Sequence, residues 1–350
     1  MYKLLLLLLL PFTGIAQSTN QYTNLVLEGG GVRGLAYAGV FSVLEEKNIL
    51  RQIEKVGGSS AGAIAGFMVC LGYNAAEIDS MMQQLPVQQF NDGKGGLLGK
   101  YKRVKNDFGI YEGKKFEQWV QQLATIKTGK PNLSFAELHQ LKQSDPHFKD
   151  LYCTGTNLSR QQLEVFSFEH SPAMPVALAV RISAGIPLYF EPVALDNQLQ
   201  KIRKNDTSSF LNYYVDGGML CNYPISMFDT CESGKNPLLC NTVKFNRHTI
   251  GIKLERPEQI DSLQKNNITI PPYDVNNFNE YLAAFSNLMI ETLNRKYPNL
   301  ENERGRTIYV SYGNIGSKVR KMKPAEKKLL FDNGAAAARQ FFEKKDSGLY

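Results

Sequence analysis

Short apolar runs alternate with polar breaks along the first third of the chain, and their spacing switches between strand and helix. Leu25-Val26-Leu27 sits inside Asn24 to Glu28 and predicts a buried strand. Leu35 to Lys47 places Val40, Val43 and Leu44 on one side at helical spacing and predicts a helix. A second short strand ends near Val56. The stretch from Ala61 to Leu71 is small and apolar on nearly every side, the pattern of a buried helix. This strand–helix–strand–helix order predicts an α/β fold with a parallel sheet and crossover helices.

The rest of the chain is more mixed. Asn91 to Gly99 is glycine-rich and reads as a surface loop or a mobile lid. Lys114 to Leu123 predicts a helix. Leu151 to Thr154, Leu163 to Phe168, Tyr213 to Val215, Thr249 to Leu254 and Thr307 to Ser311 predict strands. Asn222 to Asn246 reads mostly as loop. Phe278 to Leu293 predicts a long helix whose Tyr281, Leu282, Phe285, Leu288 and Met289 are expected in the core, and Ala325 to Phe342 predicts a closing helix. There are no internal repeats.

The first residues read differently from the rest. Lys3 precedes the leucine run Leu4 to Leu10, Pro11 breaks it, and Gly14-Ile15-Ala16 offers small residues where a signal peptidase cuts. Residues 1–16 are therefore expected to be a signal peptide, with a mature chain starting at Gln17 and exported to the periplasm or beyond the cell. With 350 residues the chain can bury one large core or two. The net charge of +7 includes clusters at Lys100 to Lys105, Lys201 to Lys204 and Lys318 to Lys323. Most read as solvated surface, although a basic surface also favours anionic membranes. No zinc-finger spacing or RNA-recognition motif accompanies the charge, so nucleic acid is not an expected partner. Of five cysteines, Cys70 and Cys153 read as buried thiols, while Cys231 and Cys240 bracket a loop that a disulfide could close. No cysteine pair or histidine cluster suggests a metal, and no cofactor is expected.

Three segments carry candidate chemistry. Gly29-Gly30-Gly31-Val32-Arg33-Gly34 follows the first strand and reads as a loop exposing backbone N–H groups. Gly58-Ser59-Ser60-Ala61-Gly62 fits the G-x-S-x-G nucleophile elbow, in which a serine sits on a strained turn between strand and helix. Val215-Asp216-Gly217-Gly218 puts a carboxylate at a strand end, where open α/β sheets place ligand groups. Taken alone, the aspartate reads as a turn residue capping its own backbone. Together, a donor loop, a serine and a carboxylate are what acyl transfer requires.

In that combination and order the chain resembles the patatin-like phospholipase family. The family's G-G-G-x-[RK]-G corresponds to Gly29–Gly34, its G-x-S-x-G to Gly58–Gly62 and its D-G-[GA] to Asp216–Gly218. Asn222-Tyr223-Pro224 resembles its N-x-P. A third block, A-x-x-A-S-x-A-I-P-like, corresponds to Ala179–Pro187, with Gly185 and Ile182 as departures, and is followed by Phe190-Glu191-Pro192-Val193. The resemblance implies a three-layer α/β/α sandwich with a mostly parallel central sheet. It implies a catalytic core over 22–255 and a C-terminal extension over 256–350. It also implies lipid acyl hydrolysis of the phospholipase A or lysophospholipase type by a Ser60–Asp216 dyad. The implied oxyanion hole comprises Gly29, Gly30 and Gly31, with Ala61 after the serine. Arg33 is either a substrate-binding charge for a phosphate head group or a loop-pinning partner of a carboxylate. The expected substrate is a phospholipid or another acyl-ester lipid, with peripheral membrane contact left open. Three alternatives stand beside this reading: a Ser–His–Asp carboxylesterase, an acyltransferase using the same acyl-enzyme, and a scaffold that keeps the fold without activity. Among His139, His147, His170 and His248, only His248 follows Asp216, and it immediately precedes a strand.

Overall fold

The computed structural model describes residues 22–202, 211–240, 242–264, 303–317 and 319–348, with single positions between 272 and 292. Its strands are β1 (Asn24–Leu27), β2 (Lys55–Gly58), β3 (Gly109–Tyr111), β4 (Asp150–Asn157), β5 (Gln162–Phe166), β6 (Leu188–Phe190), β7 (Val193–Leu195), β8 (Asn212–Asp216), β9 (Thr230–Cys231), β10 (Val243–Lys244), β11 (Thr249–Glu255) and β12 (Thr307–Ser311). Its helices are α1 (Ala36–Glu46), α2 (Ile49–Gln52), α3 (Ala61–Cys70), α4 (Ala75–Gln83), α5 (Gly96–Asp107), α6 (Lys114–Thr128), α7 (Phe135–Ser144), α8 (Val176–Ser183), α9 (Pro257–Gln264) and α10 (Pro324–Asp346).

The main sheet runs β12-β11-β1-β2-β4-β8-β7, with β5 also paired to β4. Pairing is parallel from β12 through β4 and antiparallel beyond it. The chain leaves β1 toward β2 on one side, yet β11 and β12 lie on the other, so the strand order reverses at β1. With right-handed crossovers, that reversal sends connections to opposite faces and opens a crevice at the carboxyl ends of β1 and its neighbours. The glycine loop follows β1 and the elbow follows β2, so both motifs end at this crevice.

Side-chain alternation in β1 supplies both faces. Leu25 and Leu27 join the large core with Phe41 of α1, Phe67 of α3, Val180 of α8 and Phe341 of α10. Val26 points the other way and is covered by Tyr223 and Ile225. The stretch Asn222–Asn246 thus covers that face with short 3-10 turns and the β9–β10 ribbon, and a Cys231–Cys240 disulfide closes it. Cys70 and Cys153 are buried free thiols, as is Cys221.

Helix α10 lies directly on α1. A Cβ on Gly39 would stand 1.9 Å from the Phe331 carbonyl oxygen, and one on Gly334 would stand 2.1 Å from that of Ala36. Each helix therefore needs a glycine where the other's backbone crosses. Gly334→Val is expected to destabilise the protein by about 3 kcal/mol, because neither backbone can yield locally. The measurement is the urea midpoint, and an unchanged midpoint would contradict this packing.

The expected strands appear at their positions, with ends moved by a few residues. The lid candidate Asn91–Gly99 is partly ordered into structure, since Asp92 is buried and accepts from the amides of Gly113 (2.8 Å) and Lys115 (2.9 Å) and α5 already starts at Gly96. The helix expected over Phe278–Leu293 lies mostly outside the described residues. Tyr281, Phe285 and Leu288, which are described, are exposed and not in the core. Apolar spacing marks a helix face without saying what that face meets. The signal-peptide segment 1–16, Arg203, Lys204 and Lys318 lie outside the described residues. Among the described residues no helix is long and apolar enough to cross a membrane.

Candidate active site

The elbow is built by close contact. Ser60 stands between β2 and α3 with φ +52° and ψ −120°, a conformation that costs a non-glycine residue on the order of 1–3 kcal/mol. A Cβ on Gly62 would lie 2.3 Å from the Leu27 carbonyl oxygen, and one on Gly58 would lie 2.6 Å from the Gly62 backbone. Only glycines let α3 begin against the end of β1. The hydroxyl of Ser59 meets that of Thr154 at 2.5 Å and donates to the Cys221 carbonyl at 2.6 Å. The Ser60 amide donates to the Ser183 hydroxyl at 3.1 Å. Three separate segments thus hold the turn.

Ser60 Oγ donates to Asp216 Oδ2 at 2.7 Å. Asp216 is itself fixed on every side. Its Oδ1 accepts from the Gly218 amide (2.8 Å), its carbonyl accepts from Thr156 Oγ1 (2.9 Å), and its amide donates to the Gly185 carbonyl (2.9 Å). Burial pushes its carboxyl up to about 7, against the opposing pull of the Ser60 hydroxyl and the Gly218 amide. A carboxylate placed this way takes a proton from a hydroxyl more readily than an ordinary surface aspartate, and is ionised for a useful fraction of the time near neutrality.

The glycine loop stands beside this pair. A Cβ on Gly29 would lie 3.0 Å from Ser60 Cβ, and one on Gly34 would lie 3.0 Å from Ala61 Cβ. The oxyanion donors expected at Gly29, Gly30, Gly31 and Ala61 need one correction. The Gly29 amide already donates to the Asn222 carbonyl at 2.9 Å. Among the described residues nothing accepts from the amides of Gly30, Gly31 or Ala61, and Ala61 is the first residue of α3, where an amide has no partner within its own helix. Asn222 Nδ2 also donates to the Gly29 carbonyl (3.0 Å) and to Glu28 Oε1 (3.2 Å), and Glu28 Oε2 accepts from the Leu254 amide (2.7 Å). Glu28 and Asn222 therefore lock the loop to β11.

Arg33 is anchored at the far end of the chain. Its Nε donates to the Ile315 carbonyl at 2.8 Å, and its guanidinium lies 3.6 Å from the centre of the Tyr312 ring. These contacts pin the loop to a carbonyl and an aromatic face.

The histidines lie elsewhere. His139 Nδ1 meets Asp150 at 2.8 Å with its ring stacked on Phe168, His147 Nδ1 meets Asp145 at 2.8 Å, and His170 Nδ1 meets Ser167 at 2.9 Å. The His248 carbonyl accepts from the amides of Thr23 and Asn24 at the amino end of β1, whereas Ser60 follows the carboxyl end of β2. No group of three or more metal-binding side chains forms among the described residues.

Ser183, Glu28 and Thr154 are positioning residues that sequence reasoning did not assign. For Glu28 a signal existed, because an acid closing an otherwise apolar buried strand needs partners.

A strained serine between strand and helix, a carboxylate bonded to it, and amides beside it define a serine hydrolase site on an α/β sheet. The family model of patatin-like phospholipase matches residues 25–229, and the chain belongs to that family of lipid hydrolases. The YqhO protein of Bacillus subtilis is 31% identical over 62% of this chain and 70% of its own length. The R571 protein of Acanthamoeba polyphaga mimivirus is 30% identical over 61% of this chain and 63% of its own. Probable lipid hydrolase 463L of Invertebrate iridescent virus 6 is 26% identical over 61% and 66%. Two of these three matches thus span less than two thirds of the relative. Among solved structures, VipD from Legionella pneumophila superposes with a TM-score of 0.57 over 93% of this chain and 67% of that one, at 17% identity, which shows a shared fold.

Proposed function

We propose that the chain is an exported lipid acyl hydrolase of the phospholipase A or lysophospholipase type, working through a Ser60–Asp216 dyad. The observation that carries this reading is the 2.7 Å bond from Ser60 Oγ to Asp216 Oδ2, with Asp216 raised to about 7. Asp216 takes the serine proton as Oγ attacks the ester carbonyl. The negative charge that develops on the carbonyl oxygen is met by the amides of Gly30, Gly31 and Ala61. Collapse expels the alcohol, which leaves with the proton held by Asp216, and Ser60 remains acylated. Asp216 then takes a proton from water, whose oxygen attacks the acyl-enzyme, and returns it to Ser60 Oγ as the fatty acid is released. Export fits the leader read in residues 1–16 and the Cys231–Cys240 disulfide, which an oxidising compartment sustains.

The test is product analysis on phospholipids, lysophospholipids and neutral glycerides. Free fatty acid is expected from at least one phospholipid or lysophospholipid, and none from the Ser60→Ala protein. Release from no member of the panel would refute the reading.

A further inference from the structure

Helix α5 is turned inside out. An amphipathic helix on a globular protein presents its apolar stripe to the core. Helix α5 has no buried residue, and Leu97, Leu98 and Tyr101 face outward at 86%, 78% and 67% exposure. Polar groups face the protein instead. Arg103 donates from Nε to the Ile110 carbonyl (2.8 Å) and from Nη1 to the Lys94 carbonyl (2.6 Å), and Lys100 Nζ donates to the Tyr111 hydroxyl (3.3 Å). At 3.6 residues per turn, Leu97, Leu98, Tyr101 and Val104 share an arc of about 120°. Lys100 and Lys102 border that arc, and Lys105 lies within it.

The apolar surface continues past the helix. Phe108 and Leu188 are both exposed and both left-handed, at φ +60° and +65°. Gly109 of β3 pairs with Leu188 of β6, so the two side chains stem from adjoining backbone. Leu188 is three residues from Gly185, whose carbonyl holds the Asp216 amide, a reach of at most about 11 Å. The patch therefore adjoins the candidate site.

Exposed leucines and an aromatic set among lysines on a short helix form the composition of a segment lying in a bilayer interface. We infer that α5, with Phe108 and Leu188, docks the protein on an anionic lipid surface. The leucines enter the acyl boundary, while Lys102 and Lys105 lie among phosphate head groups. Charge argues against a second copy as the occupant, because a two-fold contact would bring each lysine row against itself. This inference rests on the lipid-hydrolase reading for its purpose, but its test does not depend on turnover.

The experiment is co-sedimentation of the Ser60→Ala protein with phosphatidylglycerol–phosphatidylcholine vesicles and with phosphatidylcholine vesicles. Binding to the anionic vesicles is expected to be the stronger and to fall with salt. Leu97→Ser with Leu98→Ser should raise the lipid concentration for half-binding by about a hundredfold. Lys102→Gln with Lys105→Gln should raise it about fivefold per charge and flatten the salt dependence. In the otherwise wild-type protein, both pairs should hydrolyse a short-chain soluble ester at the wild-type rate. Equal binding to both vesicle types, or unchanged binding after the leucine pair is replaced, overturns the inference. So does a leucine-pair protein whose sedimentation coefficient changes while its vesicle binding does not, since the face would then join copies of the chain. A wild-type protein that binds vesicles yet cleaves no ester would count against the hydrolase reading and leave the docking intact.

Discussion

Ser60→Ala is expected to lose about 10⁵–10⁶ of turnover and all covalent labelling by an organophosphonate. No neighbouring hydroxyl is placed to substitute. Ser59 Oγ is held by Thr154 and the Cys221 carbonyl, and Ser183 Oγ accepts from the Ser60 amide. The substitution keeps the backbone bond that holds the elbow and removes one oxygen, so thermal unfolding should move little. Mass spectrometry of the labelled protein is the readout. A phosphonyl group found at full occupancy on the Ser60→Ala protein would remove the nucleophile assignment.

Asp216→Asn should lower turnover by about 10³–10⁴, the range that loss of a positioned general base produces. The wild-type kcat/KM should fall about tenfold per pH unit below about 7, because only the ionised carboxylate accepts the serine proton. Stability should move the opposite way. The folded carboxyl titrates at about 7 and the unfolded one near about 4. Between those values the folded protein holds a proton that the unfolded chain has released. Stability therefore falls as pH rises through that window, by on the order of 4 kcal/mol, and levels off above it. The Asp216→Asn protein escapes this loss and should gain on the wild type in denaturant midpoint at pH 8 compared with pH 4. Replacing His139, His147, His170 or His248 with alanine should leave most activity. A single histidine variant that stays folded but inactive would return the Ser–His–Asp esterase to first place.

The crevice was legible because its makers are local. Gly58, Ser60 and Gly62 announce the elbow by their spacing, and Asp216 stands at the end of a strand that its own alternation reveals. Partners far apart in sequence were not legible. Gly29 reads as an oxyanion donor until the Asn222 carbonyl, nearly two hundred residues on, accepts its hydrogen bond. Arg33 reads as a head-group charge or a carboxylate's partner, and nothing local announces its contacts with Ile315 and Tyr312. Some helices were missed for a different reason. Those at α4 and α7 carry capping boxes, Asn74 with Glu77 and Ser134 with Glu137, which local reading can find. Helix α5 was hidden by its own reversal, since Gly96 and Gly99 suggest a loop and its leucines point away from any core.

The glycine loop draws its support from beyond the stretch matched by the family model, which ends at residue 229. A Cβ on Gly31 would lie 2.2 Å from the Ser317 carbonyl oxygen, one on Gly30 would lie 2.5 Å from Leu254 Cδ1, and Arg33 is anchored at Ile315. The stretch that the family model matches is thus shorter than the stretch that holds the glycine loop in place. A graft that moved residues 25–229 into a foreign scaffold would carry Ser60 and Asp216 but leave behind the buttress of the glycine loop. A recombinant chimera meant to keep that buttress has to take its crossover point after Ser317.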